Sequence, residues 1–155
     1  MISGANNLYN KRKTVDELNV FPVPDGDTGT NMSMTASAMA KALSEVVTPS
    51  ATKIADTMSY ATLRGLDECS SKEFADALMQ GSNAAYKAVM NPTEGTILTV
   101  SREVAQSAVN TAAETDDLTE IIKKAVKRGY KTLAKTPDML PALKKAGVVD
   151  AGGQG

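Results

Sequence analysis

Asp25 and Asp27 stand one residue apart in the run Asn19-Val-Phe-Pro-Val-Pro-Asp25-Gly-Asp27-Thr28-Gly29-Thr30-Asn31-Met32. Carboxylates are hard oxygen donors, and Mg²⁺ favours one or two of them together with substrate phosphates. Pro22 and Pro24 fix φ and donate no backbone hydrogen bond, so they stiffen the approach to the pair. Gly26 and Gly29 allow a sharp turn and a close approach of backbone to a ligand. Thr28, Thr30 and Asn31 precede an apolar helical pattern, where free N–H groups and the helix dipole favour an anion. One loop therefore carries both halves of a Mg-nucleotide site. An ordinary turn and helix N-cap use the same residue types, and for an isolated Asp-Gly-Asp the two readings weigh about equally.

Other phosphate and metal motifs fail on position. The twelfth residue counted from Asp25 is Ala36, not the bidentate Glu of an EF-hand. There is no Gly-x-x-x-x-Gly-Lys, which excludes a P-loop. Gly152-Gly153-Gln154-Gly155 lacks the strand-turn-helix setting of a dinucleotide fingerprint. The chain contains no His, which removes Ser-His and His-metal schemes and leaves Cys69 without an activating base.

These residues need a scaffold, and 155 residues suffice for one domain with a core. A formal net charge of −1 carries no basic surplus for nucleic acid or an anionic membrane. No run reaches the roughly 18 apolar residues of a membrane span. Met1-Ile-Ser-Gly-Ala-Asn-Asn does not read as a signal peptide. A single cysteine forms no internal disulfide, which suits the cytoplasm. Aromatic residues are scarce, so Ala and Met must fill the core, with small side chains letting helices approach closely.

Period-3.6 patterns dominate, and the expected fold is all-α. Helical patterns cover 1–18, with a break near Lys11-Arg12-Lys13, then 31–46, 51–64, 71–90, 96–114 and 117–135. Phe74, Ala77, Leu78, Ala84, Ala85, Ala88 and Val89 form one apolar stripe. Ile97, Val100, Val104, Ala105 and Ala108 form a second, and Leu118, Ile121, Ile122, Ala125, Val126 and Leu133 a third. Ser70-Ser71-Lys72-Glu73 reads as a capping box. One short helix is expected from Pro137-Asp138 to Gly147. Short connections favour antiparallel neighbours in a bundle.

Besides 19–32, two inter-helix segments have unusual composition: Asn91-Pro-Thr-Glu-Gly-Thr96 and Gly147-Val-Val-Asp-Ala-Gly-Gly153. In an up-and-down bundle, the helix count between 19–32 and 91–96 is odd, which puts these loops at opposite ends. One further helix between Gly65 and Leu66 would restore a common end.

Leu18-Asn-Val-Phe-Pro-Val-Pro-Asp-Gly-Asp-Thr-Gly-Thr-Asn-Met32 resembles the signature of the nucleotide-binding domain of bacterial fatty acid kinases, which is similar to the nucleotide-binding subunit of dihydroxyacetone kinases. Ala85-Tyr-Lys-Ala-Val-Met-Asn-Pro-Thr-Glu-Gly-Thr-Ile-Leu-Thr-Val100 and Gly147-Val-Val-Asp-Ala-Gly-Gly153 resemble its later motifs, in order. The resemblance implies an antiparallel up-and-down barrel of about eight helices with Mg-ATP held by loops at one end. It breaks after Ala61-Thr-Leu-Arg-Gly65. There the family continues with a loop similar to Ala-Arg-Gly-Asn-Ser-Gly, which contributes to phosphate binding, and a further helix. The expectation is that Gly65 and Leu66 are not neighbours in the complete protein, and that a genuine deletion would remove part of the site. The same resemblance implies a start inside the first helix and further domains beyond residue 155.

Carried over residue by residue, the resemblance implies Mg²⁺ on Asp25 and Asp27, the catalytic pair, with Asn19 as a further member where the dihydroxyacetone-kinase branch has roughly an additional Asp. Thr28, Gly29, Thr30 and Asn31 would meet phosphates of ATP or ADP. Thr96 and Ile97 would form the adenine side, and Asp150 and Gly152 would lie near ribose or base; for these later residues a cap or turn is the competing reading. The implied reaction is phosphoryl transfer, carried by metal clamping and positioning. A fatty acid carboxylate, with a pKa of about 4–5, is ionised at neutral pH and needs no general base. In the dihydroxyacetone branch His often follows the second Asp, whereas here it is Thr28, which favours the acyl-phosphate branch. No lipid pocket is evident, so the acceptor would arrive on a separate fatty-acid-binding protein. A sugar-directed kinase subunit and a non-catalytic nucleotide-binding regulator are the alternatives, and a homodimer stays open.

Overall fold

The computed structural model describes residues 2–44 and 70–155. Among these residues the fold is all-α, with eight helices and no strand. They are α1 (Ile2–Glu17), α2 (Thr28–Ser44), α3 (Ser71–Ala88), α4 (Ile97–Ala112), α5 (Leu118–Leu133), α6 (Thr136–Met139), α7 (Pro141–Ala146) and α8 (Ala151–Gln154). The expected helix 51–64, Cys69 and the Gly65/Leu66 junction lie outside the described residues.

The chain divides into two compact units. The first comprises residues 1–47, 94–97 and 133–155. Its main packing is α1 on α2, with α8 against both. Ala5 and Val15 of α1 are buried there, together with Leu140, Leu143 and Ala151. The α1–α2 contact is set by Gly29. A Cβ at that position would stand 2.1 Å from the Arg12 carbonyl oxygen and 2.8 Å from the Val15 Cβ. α1 itself runs without the expected break near Lys11.

The second unit comprises residues 48–93 and 98–132. Ala75, Ala108, Ile121 and Ala125 form its core, with Leu78, Val104, Val109 and Ala112 packed around them. Three alanines among four core residues fit the expected close helix approach. The capping box forms as read: the Ser70 hydroxyl accepts from the Glu73 amide at 3.2 Å, and Glu73 accepts from the Ser70 amide at 2.9 Å. Ser71 ties the same helix start to Asp116 at 3.1 Å.

Two sequence expectations are corrected. The single helix expected over 137–147 is two, because Leu140 is extended (φ −123°, ψ 109°) ahead of Pro141. Proline lacks the N–H that would continue the ladder and pushes the residue before it out of the α region. Gly147 ends α7 as expected, in the left-handed conformation at φ 71°. On α5 only part of the apolar stripe is interior: Ile121, Ala125 and Leu133 are buried, whereas Leu118, Ile122 and Val126 are exposed.

Candidate functional site

All three unusual segments contribute to the first unit, which contains 1–47, 94–97 and 133–155. α8, formed by the third segment, links the other two. It packs on α1 and α2, and Gly155 lies beside the Met32 thioether. On its other side Gly152 meets Ile97: a Cβ on Gly152 would stand 3.2 Å from the Ile97 Cβ. Ile97, Asp150 and Gly152 are therefore brought together. No direct hydrogen bond among the described residues joins Asp25 or Asp27 to Asp150.

In the first segment Gly26 turns the chain at φ +70°, between two exposed aspartates. Side chains strain in that conformation, so glycine is the natural occupant. The Phe21–Pro22 peptide is cis. Asn19 is 6% exposed, and its amide donates to Asp25 Oδ1 at 2.6 Å. Asn19 thus steadies the first carboxylate from beneath. No hydrogen bond or ion pair among the described residues reaches the Asp27 carboxylate.

α2 opens at Thr28, three residues before its expected start at 31, and the Asn31 amide donates to the Asp27 carbonyl at 2.8 Å. Its exposed amides are met by Asp16, which the sequence reading did not single out. Asp16 Oδ1 accepts from the Thr30 amide at 3.0 Å, and Oδ2 from the Thr30 hydroxyl at 2.9 Å. The Gly29 amide also favours the charged form of the same carboxylate. Desolvation pushes the Asp16 carboxyl up, but the hydrogen bonds from Thr30 and Gly29, with Arg12 nearby, outweigh it and hold it below its ordinary value. Thr30 therefore has both its donors on Asp16, and Gly29 turns its bare side to α1 rather than to a ligand. Thr28 and Asn31 have no side-chain hydrogen bond to this carboxylate. A signal for Asp16 did exist: Asp16 and Glu17 end a helix with no basic residue in its last turn. Acidic groups are disfavoured at that end unless something else holds them.

In the second segment Gly95 is required twice. Its φ is +83°, and a Cβ would come within 2.9 Å of the Met139 Cβ and 3.1 Å of the Thr136 carbonyl. In the third, Asp150 is 5% exposed and caps α8, accepting from the Gly153 amide at 2.7 Å. The Ile97 amide at the start of α4 also favours the charged form of Asp150. Burial pushes this carboxyl above its ordinary value, against the pull of the two amides. Thr136, 0% exposed, is a second residue the sequence reading passed over. Its hydroxyl donates to the Leu133 carbonyl at 2.7 Å and accepts from the Asp150 amide at 3.0 Å.

Among the described residues no group of three or more His, Cys, Asp or Glu is gathered as a metal cage. The donor set still fits a hard cation of the kind that completes its shell with phosphate and water. Two exposed carboxylates share a stiff loop, one with no partner among the described residues and one held by Asn19. A groove of about 420 Å³ in the second unit contains none of these residues. Two cations along it are already paired, Lys124 with Glu120 at 2.9 Å and Arg128 with Glu103. No helix among the described residues is long and apolar enough to cross a membrane.

The sequence matches the DAK2 domain family over residues 22–67 and 60–155. An uncharacterised protein of Staphylococcus haemolyticus is 39% identical over 177 residues, covering all of this chain and 32% of that protein. One from Staphylococcus saprophyticus and Protein YloV of Bacillus subtilis are each 38% identical over the same length, again with all of this chain and 32% of theirs. The chain thus spans about a third of the length of the curated relatives it matches.

Proposed function

The chain belongs to the DAK2 domain family, a kinase-like group of nucleotide-binding modules, and from that premise we propose a Mg-dependent phosphotransferase domain. In this reading it binds ATP and passes the γ-phosphate to a fatty acid carboxylate presented by a separate binding protein, giving an acyl phosphate. The observation that carries the reading is the acidic loop. The Asp27 carboxylate is exposed and has no partner among the described residues, and Asp25 is exposed and steadied by a buried Asn19.

Asp25 and Asp27 would hold the cation, which supplies charge neutralisation at the transferring phosphoryl group. Asn19 fixes the direction of Asp25. Thr28 and Asn31 stand at the opening of α2 with the helix dipole behind them, facing phosphate. Gly29 and Thr30 serve that site through the backbone, held by Asp16. Thr96 and Ile97 form the base side, with Gly152 packed on the Ile97 side chain and Asp150 beside them. Proximity and electrostatics then supply the rate, since a carboxylate acceptor is already ionised and needs no proton removed. That point favours a fatty acid over dihydroxyacetone, because Thr28 stands where a base would be wanted and the chain holds no His.

Further domains and a carrier protein complete the proposal. Support for the former is that the relatives are about three times longer. Support for a segment missing between Gly65 and Leu66 is twofold. The family match falls in two pieces meeting over 60–67, and the alignments run over 177 residues against 155 in the chain. Residence in the cytoplasm is part of the same proposal.

Calorimetry of Mg-ATP binding tests the site. Asp27→Ala should abolish Mg-dependent nucleotide binding while circular dichroism keeps its helical signal. Unchanged affinity in that variant would defeat the assignment. Transfer from ATP to oleate on its carrier, against transfer to dihydroxyacetone, selects the acceptor. Tight Mg-nucleotide binding with transfer to neither would make the chain a regulatory module.

A further inference from the structure

We propose that Asp16 is a positioning residue for the acidic loop: by capping α2 in place of Asp27, it keeps the Asp27 carboxylate available to a divalent cation. The inference rests on the Mg-nucleotide reading of that loop.

The first amides of a helix lack intrahelical partners, and the N-cap side chain ordinarily accepts from the second or third of them. Asp27 is the N-cap of α2, since its carbonyl accepts the first helical bond, from the Asn31 amide at 2.8 Å. Asp is among the preferred residues for this duty. Yet the third amide, that of Thr30, donates to Asp16 at 3.0 Å, 11 residues before Asp27 in the chain, and the Gly29 amide favours the charged form of the same carboxylate. The Thr30 hydroxyl adds a second bond at 2.9 Å. The arrangement depends on the close α1–α2 crossing, where a Cβ on Gly29 would lie 2.1 Å from the Arg12 carbonyl. Only a glycine there lets the end of α1 reach the start of α2.

The exchange benefits both carboxylates. Asp16 sits in the last turn of α1, where that helix's own dipole repels it, and it finds the positive end of α2. The Asp27 carboxylate is left exposed and without a hydrogen bond among the described residues. Were Asp16 absent, the nearest acceptor for the Gly29 and Thr30 amides would be Asp27 itself. Each cation bound would then have to displace a cap, which a preorganised site avoids. A cap is worth enough to weaken cation binding roughly fivefold.

A double-mutant cycle on the 155-residue chain tests the exchange without any ligand. Asp27→Ala should leave the melting temperature nearly unchanged in the native background, because Asp27 caps nothing. In an Asp16→Ala background the same substitution should lower it by a further 2–4 °C or so, because Asp27 has become the cap. Mn²⁺ titration followed by electron paramagnetic resonance, with ATP present, gives the second readout. Asp16→Ala should bind Mn²⁺ about five times more weakly than native protein, and Asp16→Asn, which keeps one acceptor oxygen for the Thr30 amide, should fall between. Should Asp16→Ala not melt cooperatively, Asp16→Asn serves as the background of the cycle. Equal effects of Asp27→Ala in both backgrounds, or native Mn²⁺ affinity in Asp16→Ala, would overturn the inference and leave the kinase reading standing. Absence of Mn²⁺–ATP binding by native protein would overturn both.

Discussion

The hydroxyl of Thr136 accepts a hydrogen bond from the amide of Asp150 at 3.0 Å, and both residues are almost wholly buried. The same hydroxyl donates to the Leu133 carbonyl at 2.7 Å, so one oxygen ties the end of α5 to the start of α8. Asp150 in turn accepts from the Gly153 amide. This relay joins α6 to α8, two helices of four residues that are unstable alone.

Thr136→Val keeps the shape and removes the hydroxyl. The Asp150 amide is then buried without an acceptor, which costs about 1–3 kcal/mol. Urea denaturation should show that loss, with Thr136→Ser recovering most of it. A Val variant as stable as native protein would mean that water or a backbone shift satisfies the amide.

Gly29 and Gly81 give opposite expectations for the same change. Gly29→Ala drives a Cβ to 2.1 Å from a backbone oxygen, so α1 and α2 must separate. We expect destabilisation of at least 2–3 kcal/mol, with loss of Mg-nucleotide binding as Asp16 moves away. Gly81 lies inside α3 with nothing within 4 Å of a would-be Cβ. Gly81→Ala should be stabilising by about 0.5–1 kcal/mol through helix propensity. Thermal melts of the pair decide it, and equal shifts of one sign would count against this account of Gly29.

Among the described residues, helix type was legible in the sequence wherever a long 3.6-residue pattern existed, and the Ser70/Glu73 cap was legible to the hydrogen bond. What was hidden has physical reasons. Leu118, Ile122, Val126 and Tyr130, at spacing four, lie beside Ile121, Ala125 and Thr132 on α5. Both rows lie within one helical stripe, and only tertiary packing decides that the second row is inside. The acidic loop was legible from Asp25, Gly26 and Asp27, because turn chemistry is local. Asp16 was not, because its partners come from the next helix. Gly29 was legible as a close approach, but not that the approaching group is the backbone of α1. The reading of 137–147 as one helix passed over Pro141, whose effect on Leu140 is a local rule that could have been applied.

Acid and neutral stability should separate the two buttressing carboxylates. Asp150 has its folded value raised above 3.8, so the native state holds the proton longer than the unfolded chain. Its contribution is complete below 3.8 and declines as pH rises from there through the folded value. Asp16 is the reverse: its folded value lies below 3.8, so its contribution is present above 3.8 and lost as pH falls through the folded value. Urea midpoints should show this. The stability difference between native protein and Asp150→Asn should shrink as pH climbs above 4 or so, while that for Asp16→Asn should shrink as pH drops below it. Parallel pH profiles for the two variants would refute the assignment of opposite shifts.

Asn19 offers the sharpest probe of the acidic loop. Its amide nitrogen lies 2.6 Å from Asp25 Oδ1, a donor–acceptor pair at short range between a buried donor and an exposed acceptor. Asn19→Asp replaces that donor by a carboxylate oxygen. Without a cation, two like charges at this distance repel, and one must be protonated or move away. The apo variant should therefore melt lower at neutral pH and recover on acidification toward pH 4 or so, as a shared proton restores the bond. With a divalent cation the sign reverses, because the third carboxylate strengthens a hard-oxygen site. Addition of Mg²⁺ with ATP should raise the melting temperature of Asn19→Asp more than that of native protein, and Asn19→Ala should show the smallest rise of the three. Equal Mg²⁺-induced shifts in all three proteins would place the cation away from Asn19 and Asp25, and the proposed metal site would have to be sought elsewhere in the chain.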